Sequence, residues 1–251
     1  MAKPRAIAEA IEEHVKLPGG KAERFAGYAV MALPFQSGHV LALRRFPSTS
    51  IGPGYVSIWH RTPEGSWTIY ADAPPIRSCS RYFSNATDRH VETPIELAWD
   101  DERTLRVRAG GDVGLDWKLS IASTPMTRVL NAMSSLIPGP LLRQRWLLAA
   151  MGRVVGPILG AGRIRLHGRV PNGQAFVANP RRMWTVADAR ASLGGCDFGP
   201  IGPLPEQAHL ADFWMPQRGV FTVADVFLEP YDAQRHVLPA EKSWDGEPVL
   251  A

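Results

Sequence analysis

Residues 54–72 read GYVSIWHRTPEGSWTIYAD, and this stretch decides the fold. Two runs rich in β-branched and aromatic residues, 55–61 and 67–72, flank Thr62-Pro63-Glu64-Gly65. In that turn Pro fixes φ, and Gly supplies the positive φ that a short hairpin needs. Side chains alternate faces along a strand, so Tyr55 and Trp59 point one way and Val56 and Ile58 the other. Trp67 and Ile69 share a face in the returning strand, and Tyr70 takes the opposite one. A hairpin with one wet face alternates apolar and polar residues. This one is apolar on both faces, which predicts cover on both sides.

Working outward, strands are expected at 28–33 and 40–46, and a short one near 81–83. Ile95, Leu97 and Trp99 then alternate with polar residues, as do Leu105 and Val107, across the turn Asp100-Asp101-Glu102-Arg103. Leu115, Trp117, Leu119 and Ile121 continue the pattern. These are half-buried strands with one face in water. Further strands are expected at 163–170, 174–178, 184–191 and 220–228, with Pro171-Asn172-Gly173 as a hairpin turn.

Two regions carry helical spacing instead. Ile7, Ala8, Ile11 and Val15 give a short amphipathic helix over 5–16. Thr124-Pro125 is an N-cap followed by Pro at the first helical position, and Met126, Val129, Leu130, Met133, Leu136 and Ile137 recur at three and four residues. Pro138-Gly139-Pro140 ends this helix, and a second runs from 141 to about 155. The fold class is therefore mainly β: a single domain over 1–251, an antiparallel barrel or barrel-like sandwich with a helical insert at 125–160.

Apolar residues make up 45% of the chain, enough for a substantial core, and the net charge is +4. The basic residues read as dispersed, mostly Arg, without the Lys/Arg run of a nucleic-acid tail, so no nucleic-acid partner is expected. Cys79 and Cys196 are far apart and have no ligand-spaced neighbours; no disulfide, metal or cofactor is expected. The start of the chain lacks the apolar core of a signal peptide, so a reduced, cytoplasmic setting is expected. Arginines set among the apolar residues of 126–155 raise the option of peripheral membrane contact.

No Gly-x-Ser-x-Gly, Walker or His-Glu-x-x-His motif is present. Polar groups on apolar strand faces remain. Asp225 lies among Phe221, Val223 and Phe227; Asp188 follows Trp184 and Val186; Asp212 precedes Phe213-Trp214-Met215. A carboxyl in such surroundings has its charged form disfavoured and can serve as a general acid. The plainer reading pairs these acids with arginines, Arg218 for instance. Trp59, His60, Trp67, Tyr70, Asp72 and Trp214 are candidates for lining a substrate cavity.

Gly65-Ser66-Trp67 at a strand opening, the aromatic hairpins, and the late Gln174, Asp212 and Pro216-Gln217-Arg218-Gly219 elements resemble the lipocalin-like (calycin) group of carotenoid hydratases and tocopherol-cyclase-type proteins. That resemblance implies a β-barrel cavity for a large apolar molecule, isoprenoid or polyketide. It also implies acid-initiated cyclisation, hydration or isomerisation without a cofactor. Two other functions compete: a non-catalytic carrier or sensor of a hydrophobic ligand, and an interaction module built on the 126–155 helices.

Overall fold

The computed structural model describes residues 3–137, 141 and 144–239. In chain order they form α1 (Pro4–His14), β1 (Glu23–Pro34), β2 (Val40–Thr49), β3 (Pro53–Arg61), β4 (Trp67–Ala71), α2 (Ser80–Phe83), β5 (Arg89–Glu92), β6 (Ile95–Trp99), β7 (Thr104–Ala109), β8 (Leu115–Ala122), α3 (Pro125–Leu136), α4 (Arg145–Ile158), β9 (His167–Arg169), β10 (Ala175–Leu193), β11 (Cys196–Asp197), β12 (His209–Leu210), β13 (Phe213–Trp214) and β14 (Val220–Leu228). Strands 28–33 and 40–46 are present and longer than expected, but residues 81–83 are helical. The Pro138–Pro140 break and Arg143 lie outside the described residues.

One sheet runs in the order β5-β4-β3-β2-β1-β14-β10-β8-β7-β6. Its two edge strands, β5 and β6, are consecutive in sequence with only Thr93 and Pro94 between them. Two residues span less than about 10 Å, so the sheet has to curl until its edges meet at one corner. Thr93 holds that corner. Its N–H donates to Ala71 O at 2.8 Å and its hydroxyl to Gly110 O at 3.3 Å. The barrel-like expectation therefore stands as a strongly curled half-barrel, with a correction: β4 and β5 pair in parallel, so the sheet is mixed. Curling also requires close strand approach. At the β1–β2 bulge a Cβ on Gly27 would sit 2.0 Å from Arg45 O, so only glycine fits.

The central hairpin behaves as its sequence requires. Gly65 takes φ +101° in the turn, and every residue from Tyr55 to His60 is buried. Val56, Ile58 and Tyr70 face the concave side with Val30, Leu43, Leu119 and Phe221. This concave side is a packed core, with Ala8 of α1 inserted into it. Tyr55, Trp59, Trp67 and Ile69 face the convex side, covered by Tyr82 and Phe83 of α2, Val170, and Leu204 to Met215. The helical insert covers neither side of this hairpin; it packs on β10 and β14, through Leu148 and Val155 against Met183 and Val220.

The expected strands 174–178 and 184–191 are one long strand, β10. Pro180 interrupts the pattern in sequence, and a bulge between Pro180 and Arg182 absorbs it. A second bulge between Val186 and Asp188 resets the alternation.

α3 inverts the usual burial rule. Its buried residues are Thr127, Asn131 and Ser134, while Met126, Val129, Met133 and Leu136 are exposed. Asn131 is bound in both directions to the backbone of Met183, donating at 2.8 Å and accepting at 2.8 Å, and Ser134 donates to Pro180 O at 3.3 Å. Thr124 and Thr127 complete a reciprocal cap at the start of the helix.

At the far end of β3, His60 Nε2 lies 3.0 Å from His39 Nδ1, and both rings stack on Phe198. Burial, then the nearby His39, pull the His60 pKa from 6.5 to about 4, and burial alone brings His90 to about 4.

Two measurements check these packings. Asn131→Ala leaves the Met183 N–H and C=O unmet and lowers unfolding free energy by about 1–3 kcal/mol. Met133→Gln on the opposite face changes it by less than about 0.5 kcal/mol. Both are read from urea unfolding. Because His60 and His90 are neutral when folded and bind protons more readily when unfolded, their contribution is complete above pH 6.5 and declines as pH falls toward 4. The urea midpoint therefore drops across that window, and drops less steeply in His60→Asn, with His90 supplying the remaining slope.

Candidate functional site

A cavity of about 700 Å³ is an open cleft between α4 and the 162–169 segment. Small residues set its width. A Cβ on Gly156 would meet Gly162 O at 2.1 Å, and one on Gly152 would meet Ile164 O at 2.6 Å, so the helix lies directly on that backbone. Arg145 and Arg153 project from α4; Arg163, Arg165, His167 and Arg169 project from the facing segment. Leu148, Ile164, Leu166 and Phe176 form an apolar floor. The expected strand over 163–170 is regular only at β9, which leaves its alternating arginines on an irregular rim.

Among the described residues Asp212 is the one carboxylate in the lining. It is ion-paired with Arg165 and accepts from Arg169 N at 3.1 Å, so both oxygens act as acceptors. Trp214 stands beside the cleft on β13, stacked on His209 with the Arg163 guanidinium 4.6 Å from its ring. Asp212 is thus the sequence candidate that lines this cleft, and Trp214 adjoins it through Arg163.

The other candidates are scattered. Asp225 is 5% exposed, as its apolar neighbours require, and it is ion-paired with an arginine. The partner is Arg181, the extra residue of the Pro180/Arg182 bulge, in place of Arg218. Asp188 is exposed, because the Val186/Asp188 bulge turns it outward; the burial that recommended it is missing. Asp72 accepts from Val56 N at 2.7 Å and so caps the hairpin. Tyr70 belongs to the concave core, Trp67 to the convex one, and His60 to the His39–Phe198 stack. Gln174 is fully buried and ties Glu23 to Glu229 O, a structural task.

Trp59 belongs to a second site, which sequence reading missed. Arg44 is buried and donates to the carbonyls of Val30, Leu43 and Met31 at 2.7–2.9 Å, with its guanidinium 4.8 Å from the Trp59 ring. Among the described residues it forms no ion pair, and burial draws its pKa down to about 10. The Cys79 thiol adjoins it, 3.3 Å from both the Tyr55 and Ser57 hydroxyls, with its pKa raised by burial. These groups border an apolar cavity of only about 50 Å³, room for a few water molecules. Arg44 shares a strand face with Val40, Ala42 and Phe46 in VLALRRF, and a charge on that apolar face is the signal that could have found it. Among the described residues no group of three or more His, Cys, Asp or Glu could hold a metal ion.

No protein-family model and no curated protein matches the chain. Among solved structures, an acetoacetate decarboxylase from Legionella pneumophila subsp. pneumophila is similar over 88% of this chain and 93% of that one, with 11% identity and a TM-score of 0.38. Another acetoacetate decarboxylase structure is similar over 93% of this chain and 99% of that one, with 10% identity and a TM-score of 0.40. At these values the likeness carries no argument about activity. Carotenoid hydratases and tocopherol-cyclase-type proteins are not among these similar structures.

Proposed function

We propose that the chain binds an amphipathic organic anion, an apolar body bearing one carboxylate or phosphate, in the cleft between α4 and the 162–169 segment. A single observation carries this reading: five arginines and a histidine surround the apolar floor, against one carboxylate that is already paired. Arginine is the side chain suited to bidentate recognition of carboxylate and phosphate. The volume falls within the range of small-molecule sites, about 300–1,000 Å³. The hydrophobic partner expected from the sequence is kept in this reading, with an acidic group added and its place moved from a barrel interior to an outer cleft.

Acid-initiated cyclisation, hydration or isomerisation has less support. Asp225 is the buried acid of the three and lies outside the cleft lining; Asp212 lines the cleft with both oxygens accepting. The carrier or sensor alternative needs no proton donor and fits the cleft as it stands.

Titration with a long-chain fatty acid, the matching phosphate monoester and the methyl ester, followed by calorimetry, tests the reading. The two acids bind and the ester does not. Arg153→Gln with Arg163→Gln weakens binding by about tenfold per guanidinium removed, the value of a charge-assisted hydrogen bond. Equal affinity for acid and ester sinks the proposal. The ratio of the carboxylate to the phosphate affinity identifies the headgroup. New product formed from an isoprenoid acid, and lost in Asp212→Asn or Asp225→Asn, would restore the reaction.

A further inference from the structure

The charge of this chain is sharply segregated along the sequence. Between Asp116 and Asp188 there is no Asp or Glu, whereas ten Lys and Arg fall there. The basic residues are dispersed, 18 of the 28 lying elsewhere, and the acids are the segregated group: this segment is net positive and the remainder of the chain net acidic. α3 and α4 lie within this segment.

The same segment carries the most exposed large apolar residues. On α3, Met126, Val129, Met133 and Leu136 are spaced three, four and three apart, so they form one stripe, and Leu136 is 82% exposed. On α4, Trp146 is 65% exposed and Val154 53%. The α3 stripe cannot be a core face that has slipped outward. The opposite face is fixed by the Asn131–Met183 and Ser134–Pro180 hydrogen bonds, which hold the apolar side away from the sheet.

We infer that the exposed α3–α4 face docks on an anionic phospholipid surface. Apolar side chains of two neighbouring helices set among Arg128, Arg145 and Arg153 match what an interfacial helix needs: hydrocarbon to bury at the headgroup boundary and cations to meet lipid phosphates. Charge also decides against a second copy of this chain as the occupant, because pairing would oppose two acid-free positive segments. Among the described residues no helix is long and apolar enough to cross a membrane, so the contact is peripheral. Arg145 and Arg153 of α4 serve both readings, whereas none of the described α3 residues lines the cleft, so the paired substitutions below are made on α3 to keep the two distinguishable.

The test is co-sedimentation of the full chain with vesicles of phosphatidylcholine mixed with phosphatidylserine, and with vesicles of phosphatidylcholine alone. The protein sediments with the mixed vesicles only, and less so as salt rises. Met133→Glu with Leu136→Glu reduces vesicle binding by about tenfold or more per side chain, while thermal unfolding and fatty-acid binding are retained. The neutral pair Met133→Gln with Leu136→Gln gives a smaller loss in the same direction and serves if the charged pair does not fold. Brominated lipids quench tryptophan fluorescence in the wild type, and Trp146→Phe removes most of that quenching. The inference is overturned by equal binding to both vesicle types, or by unchanged binding of both paired variants. Vesicle binding that arises only after deletion of residues 240–251 overturns it too, since the chain's own acidic tail (Glu241, Asp245, Glu247) then covers the face. Self-association lost in the paired variants, without vesicle binding, assigns the face to a second copy and likewise overturns it.

Discussion

A strand apolar on both faces has to be covered twice, and much of this molecule is arranged to satisfy that demand in β1 to β4. The concave side is covered by the sheet itself. Curling brings Leu105, Val107, Trp117 and Leu119 of β7 and β8 across from Val30, Leu43 and Ile58, and Ala8 of α1 fills the remaining space. The convex side is covered by the short helix α2 and by segments 170–176 and 204–215, which bring Tyr82, Phe83, Val170, Phe176 and Met215. The strands β6 to β8 carry only one apolar face, and their outer side stays wet, laced by Arg106–Asp116 and Lys118–Asp100. The two halves of the sheet thus differ in cover because they differ in pattern.

Consequences for function follow from where the apolar surface goes. Because the concave side is filled, the 700 Å³ cavity lies outside the sheet, where glycines let α4 settle on the 162–164 backbone. Its electrostatics come from local sequence: a segment without acids supplies five of its arginines, and the lone Asp212 arrives from a distant hairpin. Burying Arg44 against three carbonyls and an aromatic ring leaves a second, much smaller positive site beneath the convex cover.

α3 shows how a pattern argument can identify an element and misplace its face. The three-four spacing of Met126, Val129, Met133 and Leu136 correctly marks a helix, yet it says only that these residues share a side. Thr127, Asn131 and Ser134 share the other side with nearly the same spacing. Packing went to the polar side because the bulged stretch of β10 around Pro180 presents backbone groups that Asn131 and Ser134 can satisfy, and an apolar face would have left them unmet. The bulges mislead in the same way at Asp188 and Asp225. One inserted residue exchanges faces, exposing the first and giving the second Arg181 as its partner.

The sequence by itself determined the mainly β class, the 54–72 hairpin with its turn and two-sided burial, the wet-faced strands 95–121 and the helical insert. These depend on periodicity and turn chemistry, which are local. Tertiary structure alone decided that the sheet is an open, mixed half-barrel, since the parallel β4–β5 pairing joins residues that no local pattern links. It decided that the interior is packed and the cleft external, because that depends on volumes filled from distant segments. It also decided which arginines converge on one cleft, because an exposed charge carries no periodic signal of what it faces.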